Sequence, residues 1–241
     1  MSSPKIATRE EWLRARKDLL TKEKELTRQH DELAELRRGL PWVQLENEKN
    51  YVFQGPSGEQ TLSELFRGQN QLIVYHFMLG PGWKEGCPSC SFLADHLDGM
   101  LVHLAARDVA FTAVSRAPYP EIATFQQRMG WRFPWVSSHG TEFNRDFQVS
   151  FTKDEVASGE PVYNYGVSGF RSEEAPGLSV FARDDKGAVF HTYSTYGRGP
   201  ESVMSAYQLL DMVPKGRNEQ GLPWPMAWVR HHDKYGALTA A

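Results

Sequence analysis

Leu72-Ile73-Val74-Tyr75-His76-Phe77-Met78-Leu79-Gly80-Pro81-Gly82-Trp83-Lys84-Glu85-Gly86-Cys87-Pro88-Ser89-Cys90-Ser91-Phe92-Leu93 is the stretch around which the chain is organised. An apolar run ends at Leu79, a Gly/Pro-rich loop follows, and Cys87-Pro88-Ser89-Cys90 opens an amphipathic segment. The pattern predicts a strand, a loop and a helix, with the chain's only two cysteines at the loop–helix junction. A helix start offers unpaired N–H groups and a partial positive charge. Cys87 stands near the N-cap and Pro88 suits the first turn. A thiolate is stabilised there, its pKa falls, and the sulfur becomes a nucleophile near neutral pH. Cys90, one turn further in, is close enough to close a small disulfide ring, the arrangement of dithiol–disulfide exchange. Two other readings stand beside it: inert core cysteines, or half of a metal site. A metal site needs two further ligands, for which His76 and His191 are the best candidates.

At 241 residues the chain is long enough for one large domain with extensions and a sizeable core. A net charge of −3 gives no reason to expect nucleic acid or an acidic membrane surface as partner. No segment approaches the roughly 20 apolar residues that span a bilayer. Met1-Ser2-Ser3-Pro4-Lys5-Ile6 lacks the hydrophobic region of a secretory leader, so the expected location is cytoplasmic. In that compartment a cysteine pair is more readily catalytic than a structural disulfide.

Working outward, residues 9–39 form a long helix with a Thr8–Glu11 capping box. Trp12, Leu19, Leu26, Leu33 and Leu40 repeat every seven residues, and Gly39 and Pro41 stop the helix. The spacing allows a clasping arm or coiled coil, and with it a homodimer, as well as a helix packed on its own domain. Trp42–Leu45 and Tyr51–Phe53 are strand-like, Gly55–Gly58 a turn, and Thr61–Phe66 a short helix. After Cys87, one helix is expected to carry Cys90, Leu93, Leu97, Leu101 and Leu104. Val109–Val114 then follows as a strand parallel to the first, Pro120–Met129 as a helix and Phe133–Ser137 as a strand. Residues 139–173 are polar and aromatic without clear period and read as an insertion or lid. Leu178–Arg183 and Ala188–Ser194 make a hairpin about Asp184–Gly187. A helix over Glu201–Leu210 and a Pro/Trp-rich tail complete the chain. The organisation is an arm (1–41), a domain (42–214) with its insertion, and a tail (215–241).

The order through the first strand is similar to the start of a peroxiredoxin, and the whole order is that of thioredoxin. Across about residues 9–235 the chain resembles the thioredoxin-like family catalogued as domain of unknown function 899, described as predicted dithiol–disulfide oxidoreductases. The resemblance is carried by Glu11-Trp12-Leu13-x-Ala15-Arg16, Glu23-Lys24-Glu25-Leu26-Thr27-Arg28, Gln71–Met78, Gly86–Ser91, His191-Thr192-Tyr193-Ser194-Thr195-Tyr196-x-Arg198-Gly199 and Trp228–Tyr235. It implies an α/β thioredoxin-like (peroxiredoxin-like) central sheet with flanking helices and an N-terminal helical extension. It also places Pro176 where the superfamily carries a cis-proline beside its cysteines. Gly86 replaces the tryptophan that usually precedes the first cysteine, with Trp83 nearby. Lys84 stands three residues before Cys87, where a peroxiredoxin carries threonine.

The expected chemistry is exchange with a protein or small-molecule disulfide or thiol, Cys87 attacking and Cys90 resolving, with no cofactor and no metal. A thiol peroxidase using Cys87 and a non-enzymatic metal- or small-molecule-binding module are the alternatives. Trp83, Pro176, His191, Tyr193 and Arg198 are the candidate substrate-binding residues. His76 is either a proton acceptor for a thiol or a hydrogen-bonded core histidine, with the core role favoured. Arg116 would hold an anionic group or form an ion pair. His231 and His232 are read as surface or tail-docking residues.

Overall fold

The computed structural model describes residues 5–45 and 51–236. Part of the leader reading and the end of the tail lie outside these residues. The chain divides into two units, up to Pro41 and from Trp42 onward.

The first unit is a single helix, α1 (Arg9–Arg38). Thr8 and Glu11 cap it reciprocally: the Thr8 Oγ1 accepts the Glu11 N–H at 3.2 Å and the Glu11 carboxylate accepts the Thr8 N–H at 2.8 Å. Glu10 and Glu11 in the first turn and Arg37 and Arg38 in the last complement the helix dipole. None of its residues is buried.

The second unit begins with β1 (Val43–Gln44) and the hairpin β2 (Val52–Gly55)–β3 (Gly58–Thr61), whose turn closes on Gly58 at φ +99°. A 3₁₀ turn over Glu64–Phe66 leads to β4 (Gln71–His76). Then come α2 (Pro88–Ala94), α3 (Leu101–Ala105), β5 (Val109–Ser115), α4 (Tyr119–Met129) and β6 (Trp135–Ser137). The insertion holds α5 (Phe143–Asp146), α6 (Lys153–Ser158) and a small hairpin, β7 (Val162–Tyr163)–β8 (Gly166–Val167). The hairpin β9 (Gly177–Arg183)–β10 (Val189–Tyr196) and α7 (Ser205–Leu210) follow. One eight-stranded sheet runs β1-β10-β9-β4-β5-β6-β2-β3. Its centre, β4, is parallel to β5 and antiparallel to β9. This is the thioredoxin-like α/β fold expected above.

Strand alternation gives the sheet two cores. Leu72, Val74 and His76 of β4 face Phe53, Phe66, Phe143, Phe147 and Phe181. Ile73, Tyr75 and then Phe77 face Cys90, Leu93, Leu97, Phe125, Trp131 and Trp135. The second set is the cysteine face.

Several expectations change in detail. The helix expected from Cys87 to Leu104 breaks into α2 and α3 over Asp95–Met100. The Asp95 carboxylate accepts the Trp131 indole N–H at 2.8 Å and the His232 Nδ1 at 2.7 Å, and Asp98 accepts the Arg132 backbone N–H at 3.0 Å. Aspartates drawn into tertiary bonds, with Gly99 beside them, do not sustain a helix. Gly58–Thr61 is a strand where the sequence showed only a turn. The expected helix over Glu201–Leu210 begins as a 3₁₀ turn (Gly199–Val203).

The insertion is not a loop laid over the surface. Phe143, Phe147, Val149, Phe151 and Tyr163 are buried in the core opposite the cysteines. Their lack of period has a simple cause: short elements each send one or two residues into the same core. A buried polar chain fixes the segment. Ser138 Oγ bonds Asn144, Asn144 bonds Ser150 and Ser150 bonds Glu174, whose carboxylate pairs with Arg116 at 2.5 Å. Arg116 is thus an ion-pair residue, and Glu174, only 2% exposed, is compensated as a buried carboxylate must be.

Candidate functional site

The loop from Leu79 to Gly86 is closed at its neck by the Cys87 N–H donating to the Met78 carbonyl at 3.0 Å. Inside it Trp83 N–H donates to Gly80, and Gly82 N–H donates to Glu121 at 3.0 Å. Gly86 has no room for a side chain: a Cβ there would collide with the rings of Phe77 and Phe125. Its carbonyl accepts the Nε2–H of His231 from the tail at 2.8 Å.

Cys87 follows as the N-cap of α2 and Pro88 as its first residue. The Cys87 carbonyl accepts the N–H and hydroxyl of Ser91 at 2.9 and 3.0 Å, so the turn is pinned on both sides of the sulfur. Both cysteines are free thiols, 3.9 Å apart. Cys87 is partly exposed, whereas Cys90 is only 2% exposed.

Their acidities diverge for physical reasons. Hydrogen bonding from the Cys90 thiol, together with the backbone N–H groups of Cys90 and Ser89 and the Ser89 hydroxyl, outweighs burial and holds the Cys87 thiol down at about 7. Burial pushes the Cys90 thiol well up, and the bond to Cys87 adds to that. The Met78 N–H and the Tyr75 hydroxyl work in the opposite direction. An acidic, accessible thiol therefore sits against a neutral, enclosed one.

The model of a family described as a bacterial protein of unknown function (DUF899) matches residues 1–235. The chain belongs to that family. No curated relative matches the sequence. Among solved structures, Xylella fastidiosa PrxQ is 14% identical, the alignment covering 70% of this chain and 94% of that one at a TM-score of 0.45. Peroxidoxin BcpB of Mycobacterium tuberculosis is 11% identical over 70% and 97%, with a TM-score of 0.45. Xanthomonas campestris peroxiredoxin Q is 16% identical over 69% and 96%, with a TM-score of 0.46.

In this DUF899 chain the residues singled out from sequence divide into two groups. Trp83 packs against the cysteine-face core and lines a cavity of about 360 Å³ with Lys84, Pro120, Thr124, Phe125 and Arg128. Pro176 directly precedes β9, whose Gly177 pairs with His76 at the end of β4. The Ala175–Pro176 bond is trans, since no cis peptide occurs among the described residues. The chain reaches Pro176 extended, with Ser150 bridged to Glu174 and the Ala175 N–H bonded to Val149. The Pro176 carbonyl accepts the Tyr163 hydroxyl at 2.7 Å.

His191 does not approach the cysteines. A bulge at Thr192 shifts the β10 register, so that His191 pairs with Phe181 and packs on the rings of Phe147 and Phe181 in the opposite core. Tyr193, beyond the bulge, pairs with Val180 and keeps the alternation of the cysteine face. Arg198 is 84% exposed and forks onto Glu201 at 2.8 and 3.0 Å. His76 is on the opposite face too, bonded to Ser179 at 2.8 Å, and burial holds its pKa down to about 3. It is a neutral core histidine rather than a proton acceptor for the thiols. His76 and His191 therefore cannot complete a metal shell with the cysteines. Among the described residues no group of three or more His, Cys, Asp or Glu stands where it could hold a metal ion. No helix of the described residues is long and apolar enough to cross a membrane.

Tyr75 and Ser89 stand beside the cysteine pair, Tyr163 acts on Cys90 electrostatically from the opposite core, and His231 holds the carbonyl just before Cys87; none of these is a site candidate in the sequence reading. The signal for Tyr75 was present: it neighbours His76 on the strand, so if one side chain faces away from the cysteines the other faces them. Nothing local marked Tyr163 or His231, which arrive from 73 and 141 residues beyond Cys90.

Proposed function

We propose that this chain is a dithiol–disulfide oxidoreductase in which Cys87 attacks and Cys90 resolves. The carrying observation is the opposed acidity of two free thiols 3.9 Å apart. At neutral pH a large share of Cys87 is thiolate and competent to attack, while Cys90 stays protonated and does not compete. Attack on a disulfide forms a Cys87–substrate bond and expels one substrate thiolate, which takes a proton from water. Cys90 then loses its proton and attacks the Cys87 sulfur, closing the Cys87–Cys90 disulfide and expelling the second substrate thiol. Two electrons pass from the dithiol to the substrate, and a second thiol system restores the dithiol. The cycle needs that second thiol system to return two electrons, and the thiol pools of the cytoplasm would supply them.

Trp83 and Pro176 are the residues we assign to substrate contact. Trp83 offers an aromatic wall beside the cavity, and Pro176 ends the chain segment next to the β4 terminus. A peroxidase role has less support, because Lys84 occupies the position of the expected threonine.

Replacing Cys90 with Ser should trap a mixed disulfide at Cys87, and replacing Cys87 with Ser should abolish both trapping and turnover. Mass spectrometry of each variant after incubation with a small disulfide reads this. An absence of adduct on Cys90→Ser, or rapid peroxide consumption in stopped flow, would overturn the assignment.

A further inference from the structure

The exchange proposed above leaves one requirement unmet. The Cys90 sulfur must become a thiolate in the second step, yet it lies in an apolar core that opposes charge. The side chain placed to answer this is Tyr75. It is 1% exposed, lies on the cysteine face of β4, and is held edge-on by Phe77 with centroids 5.8 Å apart. Its hydroxyl donates to the Cys90 carbonyl at 3.2 Å. That is long for an O–H···O bond, so the hydrogen is only loosely committed while the ring itself is fixed. The same hydroxyl and the Met78 N–H at the neck of the loop also draw the Cys90 thiol's pKa down, against the burial that raises it.

We propose that Tyr75 is a positioning residue of the second step: its hydroxyl turns from the Cys90 carbonyl to the Cys90 sulfur as that sulfur loses its proton, and with the Met78 N–H forms a two-donor cradle for the resolving thiolate. The phenol keeps its own proton throughout. Burial raises its pKa first, and the neighbouring Cys90, Cys87 and Tyr163 raise it further, so it donates a hydrogen bond and does not act as a base. The Cys90 proton goes to water or to the departing thiolate. The inference rests on the dithiol reading of the preceding section.

The two can be separated with 5,5′-dithiobis(2-nitrobenzoate) in stopped flow. The first coloured thiolate reports attack by Cys87 and the second reports resolution by Cys90. Tyr75→Phe removes only the hydroxyl. The ratio of the second rate to the first should fall about tenfold, the order expected for one hydrogen bond to a charged group, and the pH midpoint of the second release should move up. Incorporating 3-fluorotyrosine at position 75, a stronger donor, should move that midpoint down, and it decides the matter if Tyr75→Phe does not fold. A wild-type protein releasing a single equivalent would sink the dithiol reading itself. Two equivalents from the wild type, with an unchanged rate ratio in Tyr75→Phe or an unmoved midpoint in the fluorotyrosine protein, would sink the role of Tyr75 alone.

Discussion

His231 donates its Nε2–H to the carbonyl of Gly86 at 2.8 Å, joining the tail to the residue before Cys87 across 145 positions of sequence. The ring is 3% exposed and stands edge-on to Phe125. Around it Glu85 accepts from Arg128 and Lys234, and Arg128 forks onto Asp233. The Pro/Trp-rich tail therefore straps the cysteine loop in place. Its own path is set by Glu219, whose carboxylate takes the Tyr207 hydroxyl, the Trp228 indole N–H and the Met226 N–H. Replacing His231 with Ala leaves a buried carbonyl unpaired, at a cost of about 1–3 kcal/mol. The melting temperature should drop by roughly 2–10 °C, and disulfide exchange should slow as the loop loosens. Unchanged melting and exchange in His231→Ala would show that the strap is dispensable.

Alkylation across pH tests the acidity of Cys87. In the reduced protein its rate should follow a midpoint of about 7, with Cys90 unreactive until the protein unfolds. The Cys90 thiol is the largest single contributor holding Cys87 down. Replacing Cys90 with Ala should therefore raise the midpoint toward that of a free thiol, about 8.5. A midpoint unchanged by the substitution would mean that the backbone donors of α2 suffice alone.

Gly86 offers a steric test. Its Cα faces the rings of Phe77 and Phe125, and any side chain there displaces one of them. Gly86→Ala should cost about 1–3 kcal/mol by overpacking and shift Cys87 relative to Met78, slowing exchange by more than the stability loss explains. Urea denaturation and exchange rates on the same preparation read both quantities. A variant as stable and as fast as the parent would show that the loop has slack the packing does not suggest.

What the sequence made legible was local. The capping box of Thr8 and Glu11, the strand into His76 and the Cys87–Cys90 pair on a new helix depend on neighbours a few residues away. The face of His191 does not. Simple alternation from Tyr196 would put His191 beside Tyr193 on the cysteine face, and the bulge at Thr192 reverses it. No composition rule marks that bulge. The break after Ala94 is equally non-local, because Asp95 finds its partners in Trp131 and His232. The insertion looked aperiodic for the same reason: its order is imposed by a core and by the buried Glu174, not by its own sequence.

His76 supplies the last prediction. Its Nε2 meets Ser179, its Nδ1 has no partner, and its ring lies against Phe143 and Phe147. Burial is the main cause of its low pKa, about 3, with His191 adding repulsion. In the unfolded chain the same imidazole titrates near 6.5. Between those values the unfolded state binds a proton that the folded state refuses, so stability falls as pH drops through the window from 6.5 to 3. From pH 6.5 to 4.5 this group alone should remove about 2–3 kcal/mol. His76→Gln, which retains a polar group near Ser179 but does not titrate, should lack that component even if it is less stable overall. The comparison is the difference in unfolding free energy between pH 6.5 and 4.5, measured by urea for both proteins. If the two lose stability in parallel, the histidine is being protonated in the fold, and the opposite core is open to water in a way the packing of Phe143, Phe147 and Phe181 does not allow.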